Sequence, residues 1–232
     1  MNRKLLLLSS LLNLILIVGF LFLVHALGGW NYFLYKMKNR GVSGNYAHQK
    51  NLFEVLPKDS ATIVFLGNSL TAYCEWSELL NRPDIRNRGI PGDYSSGVLE
   101  RLPAVLAMQP RQIFLMIGVN DLLFRNPSAI LNYYAQIVEQ IEQESSQTEL
   151  FLQSVLPVNN QVRQTRIQNA TIQQLNQGIK ELAQKHRLTF IDLYPLLLDK
   201  NGNLDAKYTE DGIHINGDAY LVWKKAIEGY LD

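Results

Sequence analysis

Three side chains in this sequence could together hydrolyse an ester. Ser69 offers a hydroxyl group, His214 an imidazole, and Asp211 a carboxylate three residues before that histidine. A serine hydroxyl is a weak nucleophile until a neighbouring base takes its proton. A carboxylate on the near ring nitrogen fixes the tautomer and the orientation of that base. The set predicts that Ser69 attacks an acyl group, with His214 as the base and Asp211 as its partner.

The other histidines are poorly placed for this chemistry. The chain has four, of which His25 lies in an apolar leader, His48 in a polar segment and His186 near the end of a predicted helix. We therefore expect His214 to be the base.

Attack on an ester creates an oxyanion, which needs hydrogen-bond donors that are already in place. Ser69 begins a predicted helix after a strand, so its N–H group can point at developing negative charge. Gly92 has no side chain and lets a second N–H group approach closely, and Asn120 can donate from its amide. Each segment alone is typical of a turn or a helix cap. Their ordered combination is what favours catalysis.

The elements that must position these residues follow from the hydrophobic pattern. Short apolar runs at 61–67, 112–118, 149–157 and 188–193, with a weaker one at 85–90, are typical of strands buried on both faces. Helical patterns lie at 95–107, 127–145, 166–186 and 217–231. This alternation predicts a parallel sheet covered by helices. Ligands of such sheets bind at the carboxyl ends of the strands, where the polar segments converge.

Four blocks in this order resemble the SGNH, or GDSL, hydrolases: GNSL (67–70), NRGIPGD (87–93), GVND (118–121) and DGIH (211–214). The stretch 87–102 is similar to platelet-activating-factor acetylhydrolase catalytic subunits and bacterial GDSL esterases. The resemblance covers about 58–232. It implies an α/β fold, a flavodoxin-like three-layer α/β/α sandwich with a five-stranded parallel sheet. It also implies Ser69, Asp211 and His214 as catalytic residues, an oxyanion hole of Ser69, Gly92 and Asn120, and no metal or other cofactor.

Asn68 departs from the family pattern, which usually has Asp before the serine. The change removes a charge beside the nucleophile but keeps the hydrogen-bonding shape, so we expect activity to survive. Trp76, Tyr94 and Phe124 follow the motif blocks. They could line a substrate pocket, with Trp76 and Tyr94 the substrate-binding candidates, although core packing explains each equally well.

The N-terminal segment directs the chain to a membrane. An apolar run from Leu5 to about Leu27 follows Arg3 and Lys4, and the aromatic residues after it suit a membrane interface. A cleaved signal peptide is the alternative, since 24–26 resembles a cleavage site. We favour an uncleaved anchor on length, with the catalytic domain outside the cytoplasm, although basic residues on both flanks leave the orientation open. The predicted organisation is a signal anchor or signal peptide at 1–29, a polar stalk or entry segment at 30–57 and a hydrolase domain of the SGNH type at 58–232.

Composition limits the remaining alternatives. A formal net charge of +1 argues against nucleic-acid partners, and the single cysteine excludes an internal disulfide framework. The sequence favours a serine esterase that removes short acyl groups, acetyl among them, from carbohydrate or lipid conjugates. A lysophospholipase or thioesterase acting on longer chains, and a non-catalytic binding protein of the same fold, remain open. Nothing in the sequence fixes the oligomeric state.

Overall fold

A computed structural model describes residues 3–26, 28–31, 33–34, 46–58 and 62–231. The chain divides into two compact units, Met1–Val42 and Ser43–Asp232. The basic residues Lys36, Lys38 and Arg40, which bear on the predicted membrane orientation, lie outside the described residues.

The first unit contains one long helix, α1, at Arg3–Ala26. Its segment Leu6–Ala26 is long and apolar enough to cross a membrane, and a signal sequence would have the same properties. The rings of Trp30 and Phe33 stack with centroids 5.6 Å apart, and Phe20 meets both edge-on. The expectation of an N-terminal apolar helix is confirmed.

The second unit is built on a five-stranded parallel sheet in the order β2-β1-β3-β4-β5. The strands are β1 Ile63–Gly67, β2 Ile85–Gly89, β3 Gln112–Met116, β4 Glu149–Gln153 and β5 Thr189–Ile191. All residues of β1 and β3 are buried, which explains their continuous apolar runs. The strand order is that of flavodoxin-like sheets, so the predicted fold class is confirmed.

Helices flank this sheet. They are α2 Tyr46–Val55, α3 Ser69–Ala72, α4 Trp76–Leu79, α5 Ser95–Leu106, α6 Pro127–Glu144, α7 Asn169–His186 and α8 Gly217–Ile227. The core between them is anchored by stacked aromatic rings across the central strands, in which Phe114 lies 5.0 Å from Phe65 and 4.5 Å from Phe151. Burial of such large apolar surfaces is the main force holding the layers together.

Helix α2 falls within the predicted polar stalk and packs on α5. The Tyr46 hydroxyl donates to the carbonyl oxygen of Gly97, Lys50 pairs with Glu100, and the Arg88 guanidinium lies over the Phe53 ring. The stretch looked like a stalk because its composition is polar, and its contacts are made by polar atoms and one aromatic ring. Its role as part of the folded body was not visible in the hydrophobic pattern.

Candidate active site

The sheet has one point at which its winding reverses, between β1 and β3, and the carboxyl ends of these strands form a crevice there. Ser69 follows β1 at this point and is 6% exposed. The side chain of Asn68 accepts a hydrogen bond from the Leu70 N–H group at 3.0 Å, which caps the short helix α3. The amide of Asn87 donates to the carbonyl oxygens of Thr71, Ala72 and Cys74, which closes the other end of that helix. The turn that carries Ser69 is therefore held at both ends.

His214 connects the predicted catalytic residues. Its Nε2 atom lies 3.0 Å from the Ser69 hydroxyl oxygen, and its Nδ1 atom lies 2.6 Å from Asp211 Oδ2. A carboxylate accepts hydrogen bonds only, so this contact places the ring proton on Nδ1. Nε2 is then free to take the hydroxyl proton from Ser69. The structure brings Ser69, Asp211 and His214 together, although 145 positions separate Ser69 from His214 in the sequence.

Asp211 is organised by the turn in which it lies. Its Oδ1 atom accepts hydrogen bonds from the N–H groups of Ile213 at 3.0 Å and His214 at 2.8 Å. Burial raises the pKa of Asp211, but the hydrogen bonds from the His214 ring and from these two N–H groups outweigh it and hold the pKa at about 2. The carboxylate therefore stays ionised at neutral pH and can stabilise a positively charged His214 ring.

The turn before α8 is fixed by a neighbouring loop. The Asn159 N–H group donates to the Gly212 carbonyl oxygen at 2.7 Å, and the Asn159 side chain donates to the carbonyl oxygen of Leu204. Gly212 adopts φ +80°, and a Cβ atom there would lie 2.5 Å from the Asn159 carbonyl oxygen. Sequence reasoning did not find Asn159, because an asparagine after a strand resembles ordinary turn chemistry.

Two backbone N–H groups beside the serine are available to an oxyanion. Within the described part of the chain, the N–H groups of Ser69 and Gly92 have no hydrogen-bond acceptor. Gly92 has φ +79°, a left-handed conformation that glycine adopts without strain. The Asn120 amide donates one hydrogen to the Asp93 carbonyl oxygen at 2.9 Å, which leaves its second hydrogen free.

Asp121 joins the loop after β3 to the start of α5. It is fully buried and accepts hydrogen bonds from the N–H and hydroxyl groups of Ser95 at 2.9 and 2.6 Å, and from Arg125 at 2.8 Å. Burial raises the pKa of Asp121, and the bonds from Ser95 and Arg125 act against that change. The loop after β3 and the start of α5 are thus joined beside Gly92 and Asn120.

The aromatic candidates separate into surface and core. Tyr94 is half-buried beside Phe124, which is 71% exposed, with ring centroids 6.4 Å apart. Tyr73, which the sequence did not single out, is 58% exposed, and its ring centroid lies 5.3 Å from that of His214. Trp76 is a core residue, and the expectation that it lines a substrate pocket is wrong. It is 1% exposed, stacks on Phe65 at 4.1 Å and donates to the Thr71 carbonyl oxygen, so it packs the core beneath α3.

A cleft of about 350 Å³ lies beside His214. It is lined by Glu210, Asp211, His214, Ile215 and Asn216. As for metals, no group of three His, Cys, Asp or Glu side chains among the described residues could hold an ion.

The sequence and the fold of this chain are similar to those of known proteins. The GDSL-like Lipase/Acylhydrolase family model matches residues 59–222. A Streptococcus pneumonia protein described as a candidate platelet activating factor has a similar structure, with a TM-score of 0.74 and 30% identity over 85% of this chain and 95% of its own. A GDSL-like lipase from Bacteroides thetaiotaomicron gives a TM-score of 0.67 and 26% identity over 81% of this chain and 98% of its own.

Among curated proteins, an N-acylneuraminate cytidylyltransferase of Escherichia coli O18:K1:H7 is 27% identical over 171 residues. The match covers 71% of this chain but only 39% of that protein. Similar matches to Streptococcus agalactiae proteins of the same name cover 34% of their length. The chain thus spans less than half of the curated relatives that it matches.

Proposed function

Because this chain belongs to the GDSL-like lipase/acylhydrolase family, we propose that it is a serine esterase that removes short acyl groups, acetyl among them, from carbohydrate or lipid conjugates. The observation that carries the proposal is the continuous contact from Ser69 Oγ through the His214 ring to Asp211, at 3.0 and 2.6 Å. This arrangement serves nucleophilic acyl transfer, and it needs no other group to activate the hydroxyl.

The reaction follows from the geometry. Ser69 Oγ attacks the acyl carbon while His214 Nε2 takes its proton, and the carbonyl oxygen of the ester becomes an oxyanion beside the free N–H groups of Ser69 and Gly92 and the Asn120 amide. His214 then gives the proton to the departing alcohol, which leaves an acyl-enzyme. Water attacks this intermediate with His214 again as the base, and the acid is released.

Two observations support a polar alcohol. The cleft beside His214 holds about 350 Å³, and the polar side chains of Glu210, Asp211 and Asn216 on its walls can bind hydroxyl groups. The curated relatives are named for an acylated sugar, N-acylneuraminate, which is consistent with a carbohydrate as the alcohol.

The test is hydrolysis of p-nitrophenyl esters from acetate to palmitate by the full-length protein in mild detergent. We expect the highest kcat/KM for acetate, and a loss of at least about 10³-fold in Ser69→Ala. Ser77→Ala is the matched control, because Ser77 is exposed on the adjacent helix α4. A fluorophosphonate probe should label the wild type and not Ser69→Ala. Full activity in Ser69→Ala would refute the nucleophile, and a preference for palmitate would favour the long-chain alternative.

We further propose that Leu6–Ala26 is an uncleaved anchor that holds the catalytic domain outside the cytoplasm. Its length matches the hydrocarbon core of a bilayer. An intact mass equal to that of the whole chain, together with retention in membranes after alkaline extraction, is the expected result. A mature mass that lacks this segment would identify a signal peptide instead.

A further inference from the structure

Arg101 is a charged residue on the buried face of helix α5. It is 3% exposed and shares this face with Val98, Leu102 and Val105. Its guanidinium donates from Nε to Asp93 Oδ2 at 2.9 Å and from Nη2 to the Gly67 carbonyl oxygen at 3.0 Å. Asp93 is equally buried, at 1% exposure. One planar group therefore contacts the end of β1 and the loop after β2 at the same time.

Both acceptors lie next to the groups that would bind the oxyanion. Gly67 is followed by Asn68 and then by Ser69, and Asp93 directly follows Gly92. Asp93 also accepts the Asn120 amide on its carbonyl oxygen. A guanidinium is rigid and holds its donors at fixed angles, so a shift of one acceptor is transmitted to the other.

Stability alone is a weak explanation for this buried pair. Removing two charges from water costs free energy that their attraction does not always return. Arg101 also leaves Nη1 buried without an acceptor in the described part of the chain, which opposes folding. The pair is explained better by what its two hydrogen bonds position.

We propose that Arg101 is a positioning residue of the oxyanion hole, which sets the spacing between the Ser69 and Gly92 N–H groups by holding Gly67 and Asp93 in one fork. The inference rests on the proposed esterase function. It assigns Arg101 no contact with the substrate.

The test compares Arg101→Lys with the wild type as full-length proteins in mild detergent. Lysine keeps the charge but not the fork. We expect kcat for p-nitrophenyl acetate to fall by about 10- to 100-fold, since the whole loss of one oxyanion donor costs about 10²- to 10³-fold. KM should change by less than about threefold, because a group that acts in the transition state affects kcat first. Affinity for an arylboronic acid, whose serine adduct places an oxygen in the hole, should fall in parallel with kcat.

Arg82→Lys is the matched control. Arg82 also contacts one aspartate with two nitrogens, at 3.0 and 2.8 Å from Asp84, but it lies before β2 at the opposite edge of the sheet from Ser69. This variant should keep both kcat and boronate affinity.

A folded Arg101→Lys that keeps kcat within about threefold of the wild type would overturn the inference, as would an equal loss in Arg82→Lys. If Arg101→Lys does not fold, Asp93→Asn decides by the same criteria, because it weakens one side of the fork and keeps the shape of the side chain. Ser69→Ala distinguishes a failure of the proposed esterase function from a failure of the positioning role. Its inactivity together with an unaffected Arg101→Lys refutes only the positioning role, whereas full activity of Ser69→Ala refutes the esterase function and this inference with it.

Discussion

The side-chain amide of Asn120 donates to the backbone carbonyl oxygen of Asp93 over 2.9 Å. This bond uses one of the two hydrogens of the amide and fixes the direction of the other. It also joins the loop after β3 to the loop after β2, and these loops carry Asn120 and Gly92. Two of the three proposed oxyanion donors are thus held in one hydrogen-bonded unit before any substrate binds.

Replacement of Asn120 by alanine should therefore affect the transition state more than the bound substrate. We expect kcat to fall by about 10²- to 10³-fold in Asn120→Ala, with a smaller change in KM. Steady-state kinetics with p-nitrophenyl acetate measure both quantities. Asn132→Ala, which removes an exposed amide from α6, serves as the control. An unchanged kcat in Asn120→Ala would exclude the amide from the oxyanion hole.

Asn68 caps a helix, and this role does not need the negative charge that the family usually has at this position. Its Oδ1 atom accepts the Leu70 N–H group, and a carboxylate oxygen can do the same, so Asn68→Asp should keep the fold and most of the activity. Asn68→Ala leaves that N–H group without its acceptor and should lower stability by about 1 kcal/mol. Thermal unfolding and kcat of both variants check this. A large gain in kcat for Asn68→Asp would show that the missing charge matters to catalysis.

The strands and long helices could be predicted because their signals are local. The strands β1 and, after its first residue Gln112, β3 are continuously apolar, and the amphipathic pattern of α6 begins at Pro127, as the sequence indicated. His214 could be predicted because the chain has only four histidines, and Ser69 and Asp211 because they lie in ordered motif blocks that follow strands or precede the last helix. The side chains chosen for their chemistry lie at the edge of the sheet where the topology places a ligand.

The supporting contacts could not be predicted, because they depend on distances between segments far apart in sequence. Arg101 did carry one signal, since a charge three residues after Val98 and four before Val105 lies on the apolar stripe of α5. Its acceptors are Gly67, 34 residues before it, and Asp93, eight residues before it. The hydrophobic pattern does not indicate either contact. Trp76 was misplaced for the same reason, since only the fold shows that it faces Phe65.

Asp93 should make stability depend on pH. Burial raises its pKa from 3.8 to about 6, although Arg101 acts in the opposite direction. Between these values the folded state binds more protons than the unfolded state, so this carboxyl group lowers the free energy of unfolding as the pH rises from about 4 to about 6. Asp93→Asn lacks this titration. We expect the wild type to lose stability relative to the variant across that interval, as measured by denaturant unfolding. A constant difference between the two proteins would contradict the raised pKa.

Substitution of Gly212 tests whether the position of the turn that carries His214 affects activity. A comparison with Gly202 separates this effect from backbone strain. Gly212 and Gly202 both adopt φ +80°, so alanine carries a similar conformational cost of about 1 kcal/mol at either position. The surroundings differ, since a Cβ atom at Gly202 meets nothing within 4 Å, whereas one at Gly212 would lie 2.5 Å from the Asn159 carbonyl oxygen.

Gly212→Ala must therefore displace the turn that carries Asp211 and His214, and a displacement of about 1 Å can cost about 10²-fold in rate. We expect a large loss of kcat in Gly212→Ala and wild-type kcat in Gly202→Ala, with thermal midpoints that fall in both. Equal activity of the two variants would mean that the contact between Asn159 and Gly212 does not position the base.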